Sequence, residues 1–587
     1  MPTTSLRVPK PSGSYADALV ALGVGDLIEE VSGLAGTPIK ATIRDDGDAY
    51  VIDCRPPIDA SGWRVSGIPP GYPYLAWKGD NADTPADSID YAAQRQIEAT
   101  LRGLNRKAKT AIENTMGEEA PTPPRPDLPV LKIFNSLRAG SDSYNKLHQS
   151  LRETKGLADL VLARLEAYGL ETPAINSPPD LGRSLGKAVS AIQLFSPVAG
   201  KGINRPKPDG TTLGSLPGHA VDWFEEWMKY RAFHIGLLGF RTGKDNEDTK
   251  IYVIAPADMP VSSVRSVRND LIKESMWGSL RLDIEATLKL AELLIKRSEV
   301  LVGVQSEVKM RNRTPRDLIR GIHSVYFKSL GTGSAVTNIS FLGLPGWFPI
   351  DTAQDANDWL EILGEHRACI RTLREDNSDD IPVLRAYRSF ISSGQMEDAL
   401  EFFALYAVHV MGMLTNSREF QFAKRFGVMN LRRLFVSYNS EKTEISGIVQ
   451  DEGFLNIATA IRRSTVNAQY RKAREGKSPF EIRYGLAQEW KRQVRFKEQF
   501  IATLGDFVSS YNAENARHAE MNREVRKAIT IQDMDRVIGL IDRHSSELVG
   551  MLLLAYGYGR DAYTREDTDE NERSGNIEPA LDTQTAG

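Results

Sequence analysis

The loop SPVAGKGINRPKPDGTTLGS, residues 196–215, contains four glycines, three prolines, two lysines and an arginine but only one acid. Glycine has little side-chain bulk, so its backbone can come near a DNA groove. Lysine and arginine there would contact phosphate, and an asparagine could hydrogen-bond a base edge. The candidate contacts are Lys201, Asn204, Arg205 and Lys207. A P-loop is not indicated, because Gly202 rather than Ser or Thr follows Lys201. The alternative is an ordinary exposed connection.

A second candidate for anion binding is the basic block between Arg462 and Lys497. Eleven Lys or Arg face only three Glu there, a net charge of +8 in a chain whose formal net charge is −4. The cations are interleaved with Tyr470, Trp490 and Phe496. Such a run can follow a phosphate backbone while the aromatic rings pack against bases or sugars, whereas the alternative is a solvated helix face. The predicted contacts are Arg462, Arg463, Arg471, Lys472, Arg474, Lys491, Arg492 and Arg495.

A weaker basic patch occurs in the sequence KMRNRTPRDLIRG. Its cations precede a predicted helix and make a second, less specific DNA-contact candidate. They are Lys309, Arg311, Arg313 and, at the helix start, Arg316.

Motifs that would indicate catalysis are not convincing. No H-E-x-x-H is present, and the H-x-E at His518 lacks the downstream cysteines of a zinc deaminase. The G-x-S-x-G at 182–186 follows prolines instead of the apolar strand that a nucleophile elbow needs. His409 is interpreted as a core histidine and the Asp379–Asp380 pair as a solvated turn. We therefore predict no catalytic residues, no metal and no cofactor.

Composition indicates a globular chain of several domains. At 587 residues it exceeds the usual size of one core, and its 41% hydrophobic and 26% charged residues are ordinary. The two cysteines, Cys54 and Cys369, indicate neither a disulfide framework nor a zinc site, which fits a reducing compartment. The N-terminus MPTTSLRVPKPSGS lacks an apolar signal-peptide core, and no long apolar run predicts a membrane span. A cytoplasmic location is expected.

The elements predicted before residue 400 are of both types. The sequence TPIKATIRDDGDAYVIDCRP reads as a hairpin joined at Asp46-Gly47, and KIYVIAP at 250–256 as an apolar strand. Helical spacing appears in SYADALVALGVGDLIEEVSGL and in the aromatic stripe that begins at Trp223, which is interpreted as core. This mixture predicts an α+β N-terminal body at 1–400, with a possible sub-boundary at the proline-rich segment 117–129.

Beyond residue 400 the patterns are almost purely helical. Apolar residues recur at helical spacing from Phe500 to Tyr511 and from Met534 to Leu553, and Thr530 and Asp533 are predicted helix caps. We predict an all-α helical bundle at 401–560. The remaining segment, 561–587, has eight acids against two arginines and is predicted to be a disordered acidic tail.

The order of the predicted elements and the residue patterns of the chain resemble the large subunit of type I CRISPR surveillance complexes (Cascade), of the kind with a small-subunit-like C-terminal domain. The most specific stretches are RYGLAQEWKRQVRFKEQFIATLGDFVSSYNAENAR and DMDRVIGLIDRHSSELVGMLLLAYGYGRD. SYADALVALGVGDLI and FSPVAGKGINRPKP support them. The similarity covers the chain except for its acidic tail.

The resemblance implies a non-catalytic, nucleic-acid-binding role in antiviral defence. Such a subunit caps one end of a guide-RNA filament, recognises the motif that flanks the DNA target, aids duplex opening and holds the displaced strand of the R-loop. Implied partners are guide RNA, target DNA, the backbone filament protein, the guide-end capping subunit and a helicase–nuclease recruited in trans, with no membrane. Two alternatives remain: a phosphate-binding enzyme that uses the Lys201 loop, and a helical adaptor that binds only proteins.

Overall fold

The computed structural model divides the chain into two compact units. The N-terminal unit comprises Met1–Leu360 and Ile391–Ser393, and the C-terminal unit comprises Glu361–Phe390 and Gly394–Gly587. The residues that the structure describes are 3–59, 62–79, 81, 84–103, 124–136, 139–169, 222–243, 247–331, 334–437, 439–440 and 443–561.

The N-terminal unit mixes strands and helices, as the sequence predicts. Its strands are β1 (Thr3–Pro9), β2 (Lys40–Asp45), β3 (Ala49–Ile58), β4 (Tyr74–Ala76), β5 (Ser88–Asp90), β6 (Leu237–Thr242), β7 (Asp248–Pro256), β8 (Asp258–Pro260), β9 (Ile319–Ser329) and β10 (Ser334–Gly343). Its helices are α1 (Tyr15–Leu34), α2 (Trp63–Ser66), α3 (Tyr91–Gly103), α4 (Leu128–Ser136), α5 (Ala139–Glu153), α6 (Leu157–Tyr168), α7 (Trp223–Arg231), α8 (Phe233–Gly236), α9 (Val261–Leu271), α10 (Leu280–Lys296), α11 (Glu299–Val302), α12 (Pro315–Leu318) and the first part of α13 (Ala353–Ile370).

Two antiparallel four-stranded sheets form the framework of this unit. The first has the strand order β1-β3-β2-β8 and the second β10-β9-β7-β6. The predicted hairpin is confirmed as β2 and β3, with Gly47 at a φ of +82°, a conformation that glycine adopts without a steric penalty. The predicted strand at 250–256 is confirmed as part of β7.

Helix α1 forms the centre of the N-terminal core. Ser14 and Asp17 make a capping box at its start, and it contacts β2 and β3 of the first sheet, β7 of the second and helix α7. Gly23 allows the close approach of α7, since a Cβ there would lie 2.0 Å from the carbonyl oxygen of Met228. The aromatic stripe of α7 is buried, which confirms its interpretation as core.

A short parallel pair, β4 and β5, lies outside the two large sheets. Leu75 pairs with Ile89 and Ala76 with Asp90, so both strands end at the same level. Helix α3 begins directly after β5, and the Asp90 side chain accepts a hydrogen bond from the Ala93 amide at 2.8 Å. The residues that follow the two strands, Trp77 and Tyr91, are therefore brought together.

The C-terminal unit is helical apart from one small hairpin. Its helices are the larger part of α13, α14 (Asp380–Ser393, except its last three residues), α15 (Met396–Thr415), α16 (Val428–Val436), α17 (Ile445–Gln450), α18 (Glu452–Ser464), α19 (Val466–Glu475), α20 (Leu486–Gln493), α21 (Lys497–Glu520), α22 (Ile531–Arg543) and α23 (Ser546–Gly557), with a 3₁₀ turn at Phe420–Phe422. The hairpin joins β11 (Asn439–Ser440) and β12 (Thr443–Glu444), so the prediction of an all-α region needs this correction. The predicted tail starts at Asp561, which the structure describes, and its other residues, 562–587, lie outside the described residues.

Apolar helix α23 packs against several helices of this unit. A Cβ on Gly550 would lie 2.4 Å from a Val494 methyl, and one on Gly557 would lie 2.5 Å from an Ile461 methyl. The two glycines therefore let α23 approach its neighbours closely. The cap predicted at Thr530 is confirmed, because Thr530 and Asp533 form a capping box at the start of α22.

The division between the units lies near residue 360, whereas the sequence pattern predicts it at 400. An aromatic cluster explains the difference. His366 of α13 and Tyr387 of α14 pack against Phe402, Phe403 and Phe426, so these two helices share the core of the C-terminal unit. After β10 ends at Gly343 the sequence is helical, and a helical pattern alone does not show which of the two cores α13 and α14 join.

Helix α15 is long and apolar enough to cross a membrane by length and composition, although no membrane span was predicted. In its most apolar 18-residue window the mean hydropathy is 1.2, and 61% of that window is buried inside the protein. Its buried residues include Phe402, Phe403 and Tyr406 of the aromatic cluster. That burial is typical of the core helix of a folded domain.

Candidate nucleic-acid interface

The predicted basic block folds into α18, α19, α20 and the start of α21. One face of α18 is apolar, with Phe454, Ile457 and Ile461 buried, and α19 follows after the buried Thr465. Helix α19 ends at Gly476, which adopts a left-handed conformation with φ +76°. The cations of the block are thus distributed over several helix faces, and their surroundings differ.

Arg462 is buried, and its predicted contact with nucleic acid is wrong. Only 3% of the residue is exposed. Its guanidinium pairs with Asp561 and donates to the carbonyl oxygen of Tyr556 at 2.7 Å. Burial lowers the pKa of Arg462, and the Asp561 carboxylate opposes that shift. This arginine holds α18 to the end of the chain that the structure describes.

Three predicted cations form ion pairs near the surface. Arg471 lies 2.9 Å from a carboxylate oxygen of Glu524, Lys491 lies 2.7 Å from Glu401, and Arg495 lies 3.4 Å from Glu547. Surface ion pairs stabilise a fold by only about 0–1 kcal/mol. A phosphate could therefore replace these acids at little cost.

Three other predicted cations are exposed and make no ion pair among the described residues. They are Arg463, Arg474 and Arg492. Lys477, just after α19, is also exposed. These groups are open to an external anion.

The aromatic residues of the block divide in the same way. Trp490 is buried and packs edge-on against Phe500 and Phe507, so it is core and not a surface for bases. Tyr484, in contrast, is 41% exposed, and its hydroxyl accepts a hydrogen bond from the Lys472 ammonium at 3.1 Å. The ammonium also lies 5.7 Å from the centre of the Tyr484 ring, within the range of a cation–π contact.

Sequence reasoning missed the segment before α16, residues 416–425. The Arg425 guanidinium donates to the Asn467 side chain at 2.8 Å and lies 6.0 Å from the centre of the Tyr470 ring. Asn467, Tyr470 and Arg474 are spaced i, i+3 and i+7 on α19 and so share one helix face. Tyr470 therefore contacts Arg425 from the other segment and shares its helix face with Arg474.

The signal that could have found this segment is the interleaving of cations and aromatics in REFQFAKR, residues 418–425. Arg418 and Lys424 are exposed, and Phe422 is 49% exposed. We use the name α19 surface for the cations and tyrosines on two sides of α19: Lys424 and Arg425 with Tyr470 and Arg474 on one side, Lys472 with Tyr484 on the other, and Lys477 just after the helix.

The weaker patch in the N-terminal unit is mostly used inside the fold. Arg313 lies 3.0 Å from Asp258 and donates to the Asp317 carbonyl at 2.7 Å. Lys309 donates to the carbonyl oxygen of Val304 at 3.0 Å. Of the four cations named for this patch, Arg311 is the one whose exposed side chain makes neither an ion pair nor a hydrogen bond among the described residues.

The fourth cation of this patch, Arg316, is also tied to the backbone. Its guanidinium donates to the carbonyl oxygens of Leu344 at 2.7 Å and Ser392 at 3.2 Å. The predicted loop contacts at Lys201, Asn204, Arg205 and Lys207 lie outside the described residues, as does the G-x-S-x-G at 182–186.

The interpretation of Asp379–Asp380 as a solvated turn is wrong for Asp380, which is buried. One carboxylate oxygen accepts a hydrogen bond from His409 Nδ1 at 2.9 Å, and the other accepts one from the Arg374 amide at 2.8 Å. Burial raises the pKa of Asp380, but these hydrogen bonds outweigh burial and the pKa lies below its ordinary value. The carboxylate therefore stays ionised inside the C-terminal unit.

The other ring nitrogen of His409 faces Thr372, which gives an Asp–His–Thr arrangement. His409 Nε2 lies 3.1 Å from Thr372 Oγ1, and that hydroxyl donates to the Cys369 carbonyl at 2.7 Å. The hydroxyl proton thus has two acceptors within reach, the Cys369 carbonyl oxygen and, in a neutral imidazole, His409 Nε2. These contacts tie the turn after α13 to α15.

Clusters of metal ligands and reactive thiols are the remaining chemical possibilities. Within the described ranges, no three His, Cys, Asp or Glu side chains come together in a way that could hold a metal ion. Cys54 and Cys369 are both buried, and burial raises the pKa of both thiols, that of Cys54 to about 12. Neither thiol has the lowered pKa of a reactive cysteine.

Comparisons with known proteins add no relative to this picture. The chain matches no model of a known protein family, and a search of curated proteins gives no match. A function for the chain is therefore inferred from its residues, contacts and charges and from its sequence resemblance.

Proposed function

We propose that this chain is a non-catalytic, nucleic-acid-binding subunit of an RNA-guided antiviral DNA surveillance complex. In this proposal the C-terminal unit holds the displaced single strand, and the observation that carries it is the α19 surface. Each side of α19 there has a cation beside a tyrosine ring, and several of the cations have no acidic partner among the described residues.

The chemistry of the α19 surface favours a single strand over a duplex or a protein. A single strand offers phosphates and unstacked bases within a few ångströms of each other, and this surface offers cations beside exposed or half-exposed rings. A protein partner would need acids in a matching pattern, and a duplex keeps its bases stacked away from the rings.

The rest of the proposal depends on the resemblance to Cascade large subunits. Reading of the flanking motif is assigned to the loop with Lys201 and Asn204, and cutting to a helicase–nuclease recruited in trans. Guide RNA pairing would supply the sequence selectivity, so the protein needs only backbone and flanking-motif contacts. This division of work agrees with the lack of a readable catalytic motif in the sequence.

A salt titration of single-stranded DNA binding tests the proposal. We expect the full-length protein to bind a 20-nucleotide strand with an affinity that falls steeply as salt rises. Changing Lys424, Lys472, Arg474 and Lys477 together to Gln should lower the slope of log K against log salt, by up to about 0.7 for each phosphate that the protein no longer neutralises.

The control removes the same charge from exposed cations elsewhere in the C-terminal unit. These are Arg432, Lys527, Arg536 and Arg543, which lie on α16, before α22 and on α22. Their change to Gln should leave most of the slope intact. Equal losses in the two quadruple variants would mean that net charge, and not the α19 surface, determines binding. A wild-type protein with no salt-dependent binding would favour the protein-only adaptor.

The non-catalytic part of the proposal has its own test. The purified chain should neither cleave DNA nor hydrolyse ATP. Robust turnover that His409→Ala abolishes would assign an enzymatic role to the Asp380–His409–Thr372 arrangement, and turnover that survives this variant would point to a site outside it.

A further inference from the structure

A cleft in the N-terminal unit lies where the parallel strands β4 and β5 end. It has a volume of about 330 Å³ and is lined by Trp77, Tyr91, Ala92, Arg95 and Gln96. Trp77 directly follows β4 and Tyr91 directly follows β5. The carboxyl ends of parallel strands are a common location for ligands, because the chain turns away there and leaves a crevice.

The aromatic side of the cleft is built on a rigid contact. The Trp77 and Tyr91 rings meet edge to face, with centroids 4.9 Å apart. Tyr91 is buried and Trp77 is half-buried, so Tyr91 supports the indole while part of the indole reaches the surface. The Trp77 Nε1 hydrogen is buried without an acceptor among the described residues.

The polar side of the cleft comes from the first turns of α3. Arg95 lies one turn after Tyr91, with its guanidinium carbon 6.0 Å from the centre of the Tyr91 ring. Arg95 is exposed and makes no ion pair among the described residues, and the Gln96 amide makes no hydrogen bond among them. The cleft therefore combines an aromatic ring, a cation and an amide.

We propose that this cleft binds one nucleotide unit, with its unstacked base against Trp77, its base edge at Gln96 and its phosphate at Arg95. Aromatic rings hold unstacked bases by stacking, and an amide can both donate to and accept from a base edge. The volume lies at the lower end of the range for small-molecule sites, about 300–1,000 Å³, which suits one nucleotide and not a duplex.

This site is separate from the α19 surface and does something different. The α19 surface would hold a backbone over several phosphates, whereas the cleft would take a single base. The same chemistry is found in a free nucleotide and in a base turned out of a single strand, so the test needs a probe for each source.

Binding of the full-length protein to 2-aminopurine probes tests the proposal. The probes are 2-aminopurine riboside monophosphate and a 12-nucleotide strand with one internal 2-aminopurine, whose fluorescence falls when the base stacks. We expect Trp77→Leu to weaken binding by about fivefold or more, because it removes the stacking ring. Arg95→Ala and Gln96→Ala should each weaken it by about two- to fivefold.

Lys78→Ala is the matched control. Lys78 is exposed, carries the same charge as Arg95 and neighbours Trp77, but it does not line the cleft. It should leave binding of the monophosphate unchanged. Trp77→Phe keeps a ring and should retain most of the affinity, which separates stacking from a loss of folding in Trp77→Leu.

The outcomes separate the sources and can overturn the proposal. Quenching of both probes, or of the strand alone, would assign the cleft to single-stranded nucleic acid. Quenching of the monophosphate alone would assign it to a free nucleotide. Failure of both probes, or quenching that Arg95→Ala, Gln96→Ala and Trp77→Leu all leave unchanged, would overturn the proposal. The salt slope at the α19 surface is measured separately, so the two proposals can fail independently.

Discussion

The two basic regions of this protein, the patch at 309–316 and the α19 surface, differ in what their cations contact. In the patch, Arg313 and Arg316 are committed to backbone carbonyls, and Arg313 also to an acid. On the α19 surface, Arg425 and Lys472 lie over tyrosine rings, and Arg474 makes no ion pair among the described residues. Both regions are rich in cations in the sequence. Arg313 and Arg316 of the patch stabilise the fold, whereas cations of the α19 surface remain accessible to a ligand.

The adjacent residues Arg462 and Arg463 repeat this contrast at the scale of one peptide bond. Arg462 lies on the buried side of α18, where it meets Tyr556 and Asp561, while Arg463 lies on the exposed side. Charge counting cannot separate them, because the helical position alone decides which of the two is accessible. Substitutions in each region can test this division, from the largest expected effect to the smallest.

The largest effect is expected from the neighbouring arginines of α18. Arg462→Met should lower the free energy of unfolding of the C-terminal unit by about 3 kcal/mol, since it removes a buried charge-assisted donor from both the Tyr556 carbonyl and Asp561. Arg463→Met should change that free energy by no more than about 0.5 kcal/mol. Hydrogen exchange of the amides in α18 and α23 measures both.

A result in which the two variants lose the same protection would contradict the division between them. DNA binding gives the reverse comparison: at temperatures where both variants are folded, Arg463→Met should lose affinity for a single strand and Arg462→Met should not.

A second test concerns Arg526, a buried cation that serves the fold. It donates to Glu514 at 2.6 Å and lies 4.0 Å from the centre of the Phe480 ring. Burial raises the pKa of Glu514, but the Glu481 amide and the charge of Arg526 outweigh it, and the net pKa is lowered. A lowered carboxylate pKa gives stability that is present above the ordinary pKa of 4.5 and is lost as the pH falls through the lower folded pKa.

Arg526→Met should therefore cost about 2–3 kcal/mol at pH 7, and its difference from the wild type should narrow as the pH falls below 4.5. Urea unfolding of both proteins between pH 3 and pH 7, monitored by hydrogen exchange of the α21 amides, checks this prediction. A penalty that stays constant down to pH 3 would show that Arg526 acts by packing on Phe480 and not through Glu514.

The smallest effects are expected in the 309–316 patch. Arg313→Ala should destabilise the N-terminal unit by about 1 kcal/mol, because it removes a half-exposed ion pair and a carbonyl hydrogen bond. Arg311→Ala should leave stability within about 0.5 kcal/mol and reduce the salt slope of duplex binding by at most about 0.9. Thermal unfolding measures the stability of both variants, and a salt titration with a short duplex measures their binding. A larger drop in duplex binding for Arg313→Ala than for Arg311→Ala would contradict the assignment of Arg313 to the fold and Arg311 to binding.

Local patterns predicted the local parts of the fold well. The Asp46-Gly47 turn, the Trp223 stripe and the Thr530 cap depend on residues within a few positions of one another, and their chemistry is readable in order. Contacts between distant residues could not be read in this way. The Arg425–Tyr470 contact and the Asp380–His409 hydrogen bond join segments that only tertiary packing brings together.

The candidate sites show the same limit. The composition of the basic block correctly located a surface rich in cations, but Trp490 and Arg462 proved to be core, since a helix within a unit must bury one face. The cleft at Trp77 had no sequence signature, because it arises from the level ends of two three-residue strands. Such short strands have no periodicity long enough to detect.

The pairing of Arg462 with the last described stretch of chain also affects how the C-terminal unit forms during synthesis. Asp561 follows Arg462 by 99 residues, and the Arg560 amide donates back to Phe426 at 2.8 Å. At about 5–20 residues per second, the ribosome needs roughly 5–20 seconds to make that interval. Throughout it, α18 lacks the partner of its buried arginine, so this unit can complete its packing only after Asp561 has left the ribosome.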